Sequence, residues 1–326
     1  MVKSMTNKPF FSIVVPTRDR GQELQICLDA IFQQSFSDYQ VLILDDGSDA
    51  DIRQQHQQRL KQYDSRFQWF EVNGAGSLGS GPSVVRNIGL EKATGSYVTF
   101  CDDDDCWHRD DHLEIAAEAL KKTNAQAYFS GMQIKDDKGK VIIDQQMTLV
   151  SDVALQQQSI GIEGVYPLSA SQTLLYPDYA HLNITIVDRI LLEQLGGFWP
   201  HTRFAEDVDL FVRICDKAKG ILFRPEICAT HFAPEKRQTT SVSNQIDKQN
   251  KRLLEISVYQ HLLVSCESAP ALSYAQKSLS VTEKMLTEEL KADKKIIAAK
   301  VFSGAALAAL PAWKWALYTL WLRFKF

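Results

Sequence analysis

The sequence predicts an α/β fold with a mostly parallel central sheet flanked by helices and a C-terminal helical extension. Three observations carry this. Short apolar runs alternate with helical stretches from Phe11 to Cys101, the pattern of βαβ units. Acidic or polar groups follow these runs directly, where open α/β sheets bind ligands. After about Ile246 the chain reads as helix to its end. The expected units are a domain of residues 8–245, with halves 8–125 and 126–245, and a helical region 246–326.

Phe11 to Val15 is an apolar strand closed by Pro16. Gln22 to Gln34 has helical spacing through Leu24, Cys27, Leu28 and Ile31. Val41 to Leu44 is a second strand, ended by the turn-forming run Asp45 to Ser48. A polar helix over about Asp51 to Tyr63 leads to a third strand near Phe67 to Val72. Gly74 to Gly81 is glycine-rich. Pro82 then opens a helix to about Ala93, with proline in its favoured first turn. Tyr97 to Cys101 is the fourth strand. From about Gln126 to Tyr179 the pattern is irregular, with short strands at Ala127 to Ile134 and Val141 to Ile143. Helices follow at Asp188 to Leu195, ended by Gly196 and Gly197, and at Glu206 to Ala218. Gly220 to Phe223 and Glu226 to Phe232 read as two strands.

Hydrophobic residues are 45% and charged residues 23% of the chain, ordinary for a globular protein. A net charge of −4 gives no electrostatic footprint for nucleic acid. The six cysteines form no CxxC pair and read as reduced core residues of a cytosolic protein. Met1 to Pro9 is polar, so no export signal is expected there. Val301 to Leu322 is the one apolar stretch of spanning length, and Pro311 and Lys314 interrupt it.

Asp102, Asp103, Asp104 and Asp105 follow the fourth strand without a break. Four like charges repel, and a cation among them relieves that repulsion. Carboxylates are hard ligands suited to Mg²⁺ or Mn²⁺, which are usually shared with phosphate oxygens. The plainer reading is a solvated acidic turn. Cys101 and Cys106 flank the acids as further candidate ligands. Thr17 and Asp19 follow the first strand and Asp45 and Asp46 the second, so three strand ends carry polar groups on one edge. Gly74 to Gly79 matches GxGxxG between a strand and a helix, which suggests either a dinucleotide site or a flexible loop beside a ligand. Arg86 lies on the next helix and suits phosphate. Glu206 and Asp207 open a later helix, either as capping acids or with Asp207 as a general base. Arg213 is placed to pair with acids. His231 ends a strand, as a metal ligand or a structural histidine. Lys236, Arg237 and Ser241 follow as donors for a diphosphate. His56, His108, His112 and His261 fall on polar helix faces.

These pieces together resemble a family 2 glycosyltransferase of the GT-A fold, with a Rossmann-like sheet. They run in order: Val14 to Arg20 (VVPTRDR), Leu44 to Asp49 (LDDGSD), Val85 to Leu90 (VRNIGL), Ala93 to Tyr97 (ATGSY) and Phe100 to Trp107 (FCDDDDCW). Leu195 to Phe198 (LGGF), Ala205 to Arg213 (AEDVDLFVR) and His231 complete the set. The resemblance implies inverting transfer from a nucleoside-diphosphate sugar to a glycan or lipid-linked acceptor. It implies that Thr17, Asp19 and Asp46 contact the nucleoside and that Arg86 approaches the nucleotide. Asp102 and Asp104 supply a DXD pattern, with Asp103 between them and Asp105 an equal candidate for direct metal ligation. Asp207 would be the base, and His231 and Arg237 would close on the diphosphate. The glycine loop is richer in glycine than the family pattern, and residues 131–184 match nothing specific. The alternatives are an NAD-dependent oxidoreductase built on the glycine loop and a non-catalytic membrane-associated scaffold.

The tail from Lys294 to Phe326 has six basic residues and no acid, and Trp313, Trp315, Tyr318 and Trp321 cluster within it. Aromatic and basic residues favour the membrane interface. A helix lying on the cytoplasmic face of the inner membrane is expected, with a packed core or dimer helix as the other reading. That placement suits a lipid-anchored acceptor in surface polysaccharide or lipopolysaccharide assembly.

Overall fold

One ten-stranded sheet runs through the computed structural model, which describes residues 8–136, 138–162, 164–233 and 246–325. The strands are β1 (Phe11–Thr17), β2 (Tyr39–Asp45), β3 (Phe67–Glu71), β4 (Tyr97–Phe100), β5 (Cys106–Trp107), β6 (Ala127–Lys135), β7 (Val141–Ile143), β8 (Tyr166–Leu168), β9 (Thr185–Asp188) and β10 (Ile221–Phe232). Their order is β3-β2-β1-β4-β9-β6-β10-β5, with β7 on β6 and β8 on β10. β9 runs antiparallel to both β4 and β6, so β1, β2, β3, β4, β6 and β10 share one direction. The ends of β1, β2 and β4 therefore open on one edge. β1 and β2 are covered on both faces, and this is why they read as unbroken apolar runs.

The helices are α1 (Gln22–Phe32), α2 (Ala50–Arg59), α3 (Pro82–Lys92), α4 (His112–Thr123), α5 (Thr148–Ala154), α6 (Ala170–Thr173), α7 (Arg189–Gln194), α8 (Glu206–Lys217), α9 (Lys248–Ser265), α10 (Ala269–Ala292), α11 (Ile296–Ala309) and α12 (Trp313–Lys325). Gly89 brings α3 against the sheet, since a Cβ there would meet Val14 Cγ1 at 2.5 Å. α8 buries every residue from Val208 to Cys215. It lies between the sheet and the C-terminal helices, so it lacks a solvated face.

The structure differs from the sequence reading in several details. The two strands expected at 220–223 and 226–232 are one strand, bulged between Arg224 and Ala229 at Pro225. β9, antiparallel between β4 and β6, was not expected, nor was the irregular span's helix α5. The C-terminal helix is four helices, with breaks at 266–268, 293–295 and 310–312. The histidines placed on polar faces are partnered or buried. His112 is fully buried against Trp107, and burial lowers it to about 3. His56 is buried and its Nε2 meets the Arg20 carbonyl.

Helices after residue 246 share a core with the sheet. Val258 and Leu262 of α9 and Ala271, Tyr274 and Ala275 of α10 belong to the same core as the sheet. Farther out, Ile256, Leu279, Leu286, Leu290, Ala299 and Leu322 form a second cluster that seats the tail. Among the described residues no helix is long and apolar enough to cross a membrane.

Candidate active site

The strand ends are tied to one another before they meet any ligand. Asp46 N–H donates to the carbonyl of Thr17 (2.9 Å), joining the ends of β1 and β2. Asp19 takes a left-handed conformation (φ 51°) that aspartate tolerates better than most residues. Its N–H donates to Ser48 Oγ (2.9 Å) and its Oδ1 accepts from Asp49 N–H (2.8 Å). Between these loops and the C-terminal helices lies a cleft of about 1040 Å³. Thr17, Asp19, Asp46, Arg86, Asp102, Asp103, Asp104, Asp207 and His231 all line it. Arg237, Lys236 and Ser241 lie outside the described residues. A smaller cleft of about 570 Å³, around Trp199, Lys217 and His261, has no acid in its lining.

The four acids form one turn, with Asp105 N–H donating to the Asp102 carbonyl (3.1 Å). Each has its own partners. Asp102 pairs with Arg86 Nη2 at 2.5 Å and faces His181 Nε2 at 3.9 Å. Asp103 and Asp104 share Arg20, at 3.3 and 2.5 Å. Asp105 is fully buried. It accepts from Phe232 N–H (3.0 Å) and the Asn183 side chain, and its Oδ2 lies 2.8 Å from His231 Nδ1. Asp105 is thus the floor of the site, held from below by β10 and the turn before β9.

Burial and mutual repulsion set the charges. Burial pushes the Asp102 carboxyl up, but Arg86, His181 and His231 together hold the group below its ordinary value. Burial, then Asp104, lifts Asp103 to about 8 in spite of Arg20. Burial, then Asp105, lifts Asp104 to about 6. Burial opposes the charged form of His231, but Asp105 prevails and raises it to about 9. His181 is lowered by burial and by His231 beside it, their ring centroids 4.9 Å apart.

Asp105, His181 and His231 each present a ligand atom within 4.8 Å of the others. One carboxylate and two imidazoles suit Mn²⁺, and the repelling carboxylates above them suit any small dication. The residues present therefore fit a divalent ion. Cys101 and Cys106 stand apart. Cys101 is buried with its Sγ 3.5 Å from Cys27 Sγ, and Cys106 Sγ turns to the carbonyl of Trp107.

Across the cleft, α8 begins at Ala205, whose left-handed backbone (φ 60°) turns the chain into the helix. Glu206 pairs with Arg86 Nη1 (3.0 Å). Arg86 therefore spans from the acid turn to the helix that carries Asp207. Asp207 Oδ1 accepts from Val208 N–H (2.8 Å), and burial raises its carboxyl. It faces an aromatic wall, and its charge is the first cause of the raised Tyr179 phenol. Arg213 pairs with Asp209 on its own helix, at 2.5 Å.

Asp46 has a second task. It accepts from Ser80 N–H (2.9 Å), Gly81 N–H (3.2 Å) and Asn73 Nδ2 (2.5 Å). A dinucleotide pyrophosphate would need those amides at the start of α3. The chain's own carboxylate occupies them, which removes the physical basis for an NAD site at the glycine loop.

The sequence reading missed His181, Asn183, the clamp role of Arg20, and the tyrosines 176, 179, 259 and 274 that line the cleft. The signal for the first two was a polar His-Leu-Asn run just before the apolar run 184–187. Nothing local marks the tyrosines, which come from three separate segments.

Comparison with known proteins follows the same lines. A family model described as glycosyl transferase family 2 matches residues 12–169. The glycosyltransferase AglE of Haloferax volcanii is 30% identical over 227 residues, 69% of this chain and 67% of the relative. The putative teichuronic acid biosynthesis glycosyltransferase TuaG of Bacillus subtilis is 31% identical over 163 residues, 48% of this chain and 62% of that one. The chain spans only 19–22% of the length of three rickettsial relatives that it also matches. Among solved structures, TarS 1-349 of S. aureus in complex with UDP-GlcNAc superposes with a TM-score of 0.64 at 16% identity, over 92% of this chain and 81% of that one. The shared fold is GT-A, as expected from the motifs.

Proposed function

The chain belongs to glycosyl transferase family 2, and from that membership we propose that it moves a sugar from a nucleoside-diphosphate sugar to a hydroxyl of a glycan or lipid-linked acceptor. The transfer inverts the anomeric centre and uses Mg²⁺ or Mn²⁺. One observation supports this most: the acid turn with His181 and His231 faces Asp207 across a single cleft.

The nucleoside end of the donor would lie along Thr17, Asp19 and Asp46, on the rigid edge formed by β1 and β2. Asp102, Asp104 and Asp105, with His181 and His231, would hold the ion. When bound, it supplies charge stabilisation to the departing diphosphate. His231 is fixed through Nδ1 by Asp105, which leaves Nε2 for the leaving group or the ion. Arg237 would add a donor to the diphosphate.

On the acceptor side a sugar hydroxyl is a weak nucleophile. Asp207 takes its proton as the oxygen bonds to the anomeric carbon and the carbon–diphosphate bond breaks. Burial raises the basicity of Asp207 for that task. A single displacement with one carboxylate base opposite the leaving group inverts the centre. The name of TuaG places that relative in teichuronic acid biosynthesis. We assign this chain to comparable surface polysaccharide assembly on the cytoplasmic side of the membrane.

A thermal-shift series with nucleoside diphosphates and sugar nucleotides, with and without Mn²⁺, tests the reading. One nucleoside diphosphate should raise the melting temperature in a metal-dependent way that chelation reverses. Stabilisation by NAD, with none by any nucleoside diphosphate, would overturn it.

A further inference from the structure

Helix α12 is apolar on two faces. The inner face packs: Leu322 is fully buried, Thr319 lies 2.6 Å from Ser303 Oγ, and Tyr318 accepts from Lys291 Nζ at 3.0 Å. The second face carries Trp313, Leu317, Leu320, Trp321 and Phe324, spaced as a helical stripe. It points outward, with exposures from 41% at Trp321 to 88% at Phe324. α11 runs antiparallel beside it, Lys300 Nζ reaching the Arg323 carbonyl at 3.4 Å. That helix adds Ile297 and Val301, 84% and 63% exposed. Such a patch on a water-soluble surface marks an interaction site.

Charge identifies the partner. Residues 294–326 hold six of the chain's 36 Lys and Arg and none of its 40 Asp and Glu. A second copy docked on the same patch by two-fold symmetry would bring cations against cations. An anionic bilayer takes both features, since the apolar stripe sinks into the acyl boundary while the basic side chains meet headgroups.

α10 links this patch to the cleft. Its Tyr274, Val281, Thr282 and Met285 line the cleft. Its Ser280 bonds the Ala306 carbonyl of α11 (2.8 Å), and Lys284 lies over the Trp315 ring of α12 (5.6 Å). The neighbours Lys284 and Met285 thus serve the tail and the cleft respectively.

We propose that α11 and α12 form a docking surface for an anionic lipid bilayer, and that docking holds the acceptor side of the cleft at the membrane. The second clause rests on the glycosyltransferase reading and assigns it a membrane-presented acceptor.

The test is co-sedimentation of the full chain with vesicles of phosphatidylcholine alone and with equal parts of phosphatidylglycerol. The wild type should pellet with the anionic vesicles and far less with the neutral ones. Leu317→Glu with Phe324→Glu should abolish pelleting, and Ile26→Glu, at an exposed site on α1, should not. Neutralising Lys314 and Arg323 to Gln should lower anionic-vesicle partitioning about twenty-five-fold, at about fivefold per cation. Wild type left in the supernatant with both vesicles overturns the proposal. So does a dimer in light scattering that the Glu pair dissolves. The metal-dependent thermal shift with nucleoside diphosphates, run on the same proteins, separates the two claims. Vesicle binding without that shift would leave the docking surface standing and remove the sugar-nucleotide reading.

Discussion

Arg86 joins the two halves of the site, and Arg86→Met isolates what that junction contributes. The side chain is 5% exposed and bridges Asp102, at the end of β4, to Glu206, in the first turn of α8. Its guanidinium also lies over the Phe198 ring, 5.7 Å from the centroid. Methionine keeps most of the aliphatic packing and removes the charge. Two buried carboxylates then lose their cation, and breaking a buried pair from one side costs about 3–5 kcal/mol. Urea unfolding followed by circular dichroism measures that loss. Two controls identify its cause. Adding Asp102→Asn and Glu206→Gln to Arg86→Met should recover most of the stability, because no unpaired charge is left. The deficit should also depend on pH. In the wild type, burial raises Asp102 but Arg86, His181 and His231 together hold it below its ordinary value. Its contribution is therefore present above the unfolded pKa of about 3.9 and is lost as pH falls through the lower folded value. In the variant Asp102 loses the partner that most opposes its burial and rises, while Glu206, already raised by burial in the wild type, rises further. Variant stability should then fall as pH rises from about 5 to about 8. A deficit under about 1 kcal/mol, or one equal at both pH values, would show a screened surface pair instead.

Asp207→Asn should abolish transfer while nucleoside diphosphate affinity, read by calorimetry, stays near wild type. Base removal costs about a hundredfold or more, so a rate within about tenfold of wild type would remove the base assignment. Glu283→Gln tests the core under the tail. Burial lifts the Glu283 carboxyl to about 7, and its Oε2 has no partner. Its folded pKa is above the unfolded one, so its contribution is complete below about pH 4.3 and is lost as pH rises through 7. Glutamine should therefore gain about 3 kcal/mol at about pH 8 and almost nothing at about pH 4, measured by urea midpoints.

The half of the molecule nearest the N-terminus was legible because its strands are covered on both faces. β1, β2 and β4 read as apolar runs, and the acids mark where each leaves the sheet. β9 escaped notice because it is four residues long and follows a polar turn. Its neighbours are set by sheet pairing, which no local pattern encodes. Arg86 was legible as an arginine suited to phosphate but not as a buried bridge, since Glu206 is 120 residues away in the chain. His112 was misread because its helical position gives no sign that Trp107 and Tyr128 cover it from other elements.

Helix α8 physically joins the acid turn to the C-terminal helices, and on the proposed function that joins the donor side to the acceptor side. Along it, Glu206 reaches back to Arg86, Asp207 faces the cleft, and Asp209 lies 2.6 Å from His261 of α9. At its end Asp216 accepts from Ser268 N–H, the cap of α10, at 2.7 Å. Asp207, the proposed base, is thus registered to the acid turn at one end and to the C-terminal helices at the other. Those helices supply Arg252, Glu255, Tyr259, Tyr274 and Met285 to the cleft. The family match ends at residue 169, before any of these and before Asp207 itself. A change in α9 or α10 that leaves the core intact should therefore alter which acceptor is taken and spare the sugar nucleotide. On the proposed assignment α8 contacts both sides, through Glu206 at one end and Asp209 and Asp216 at the other.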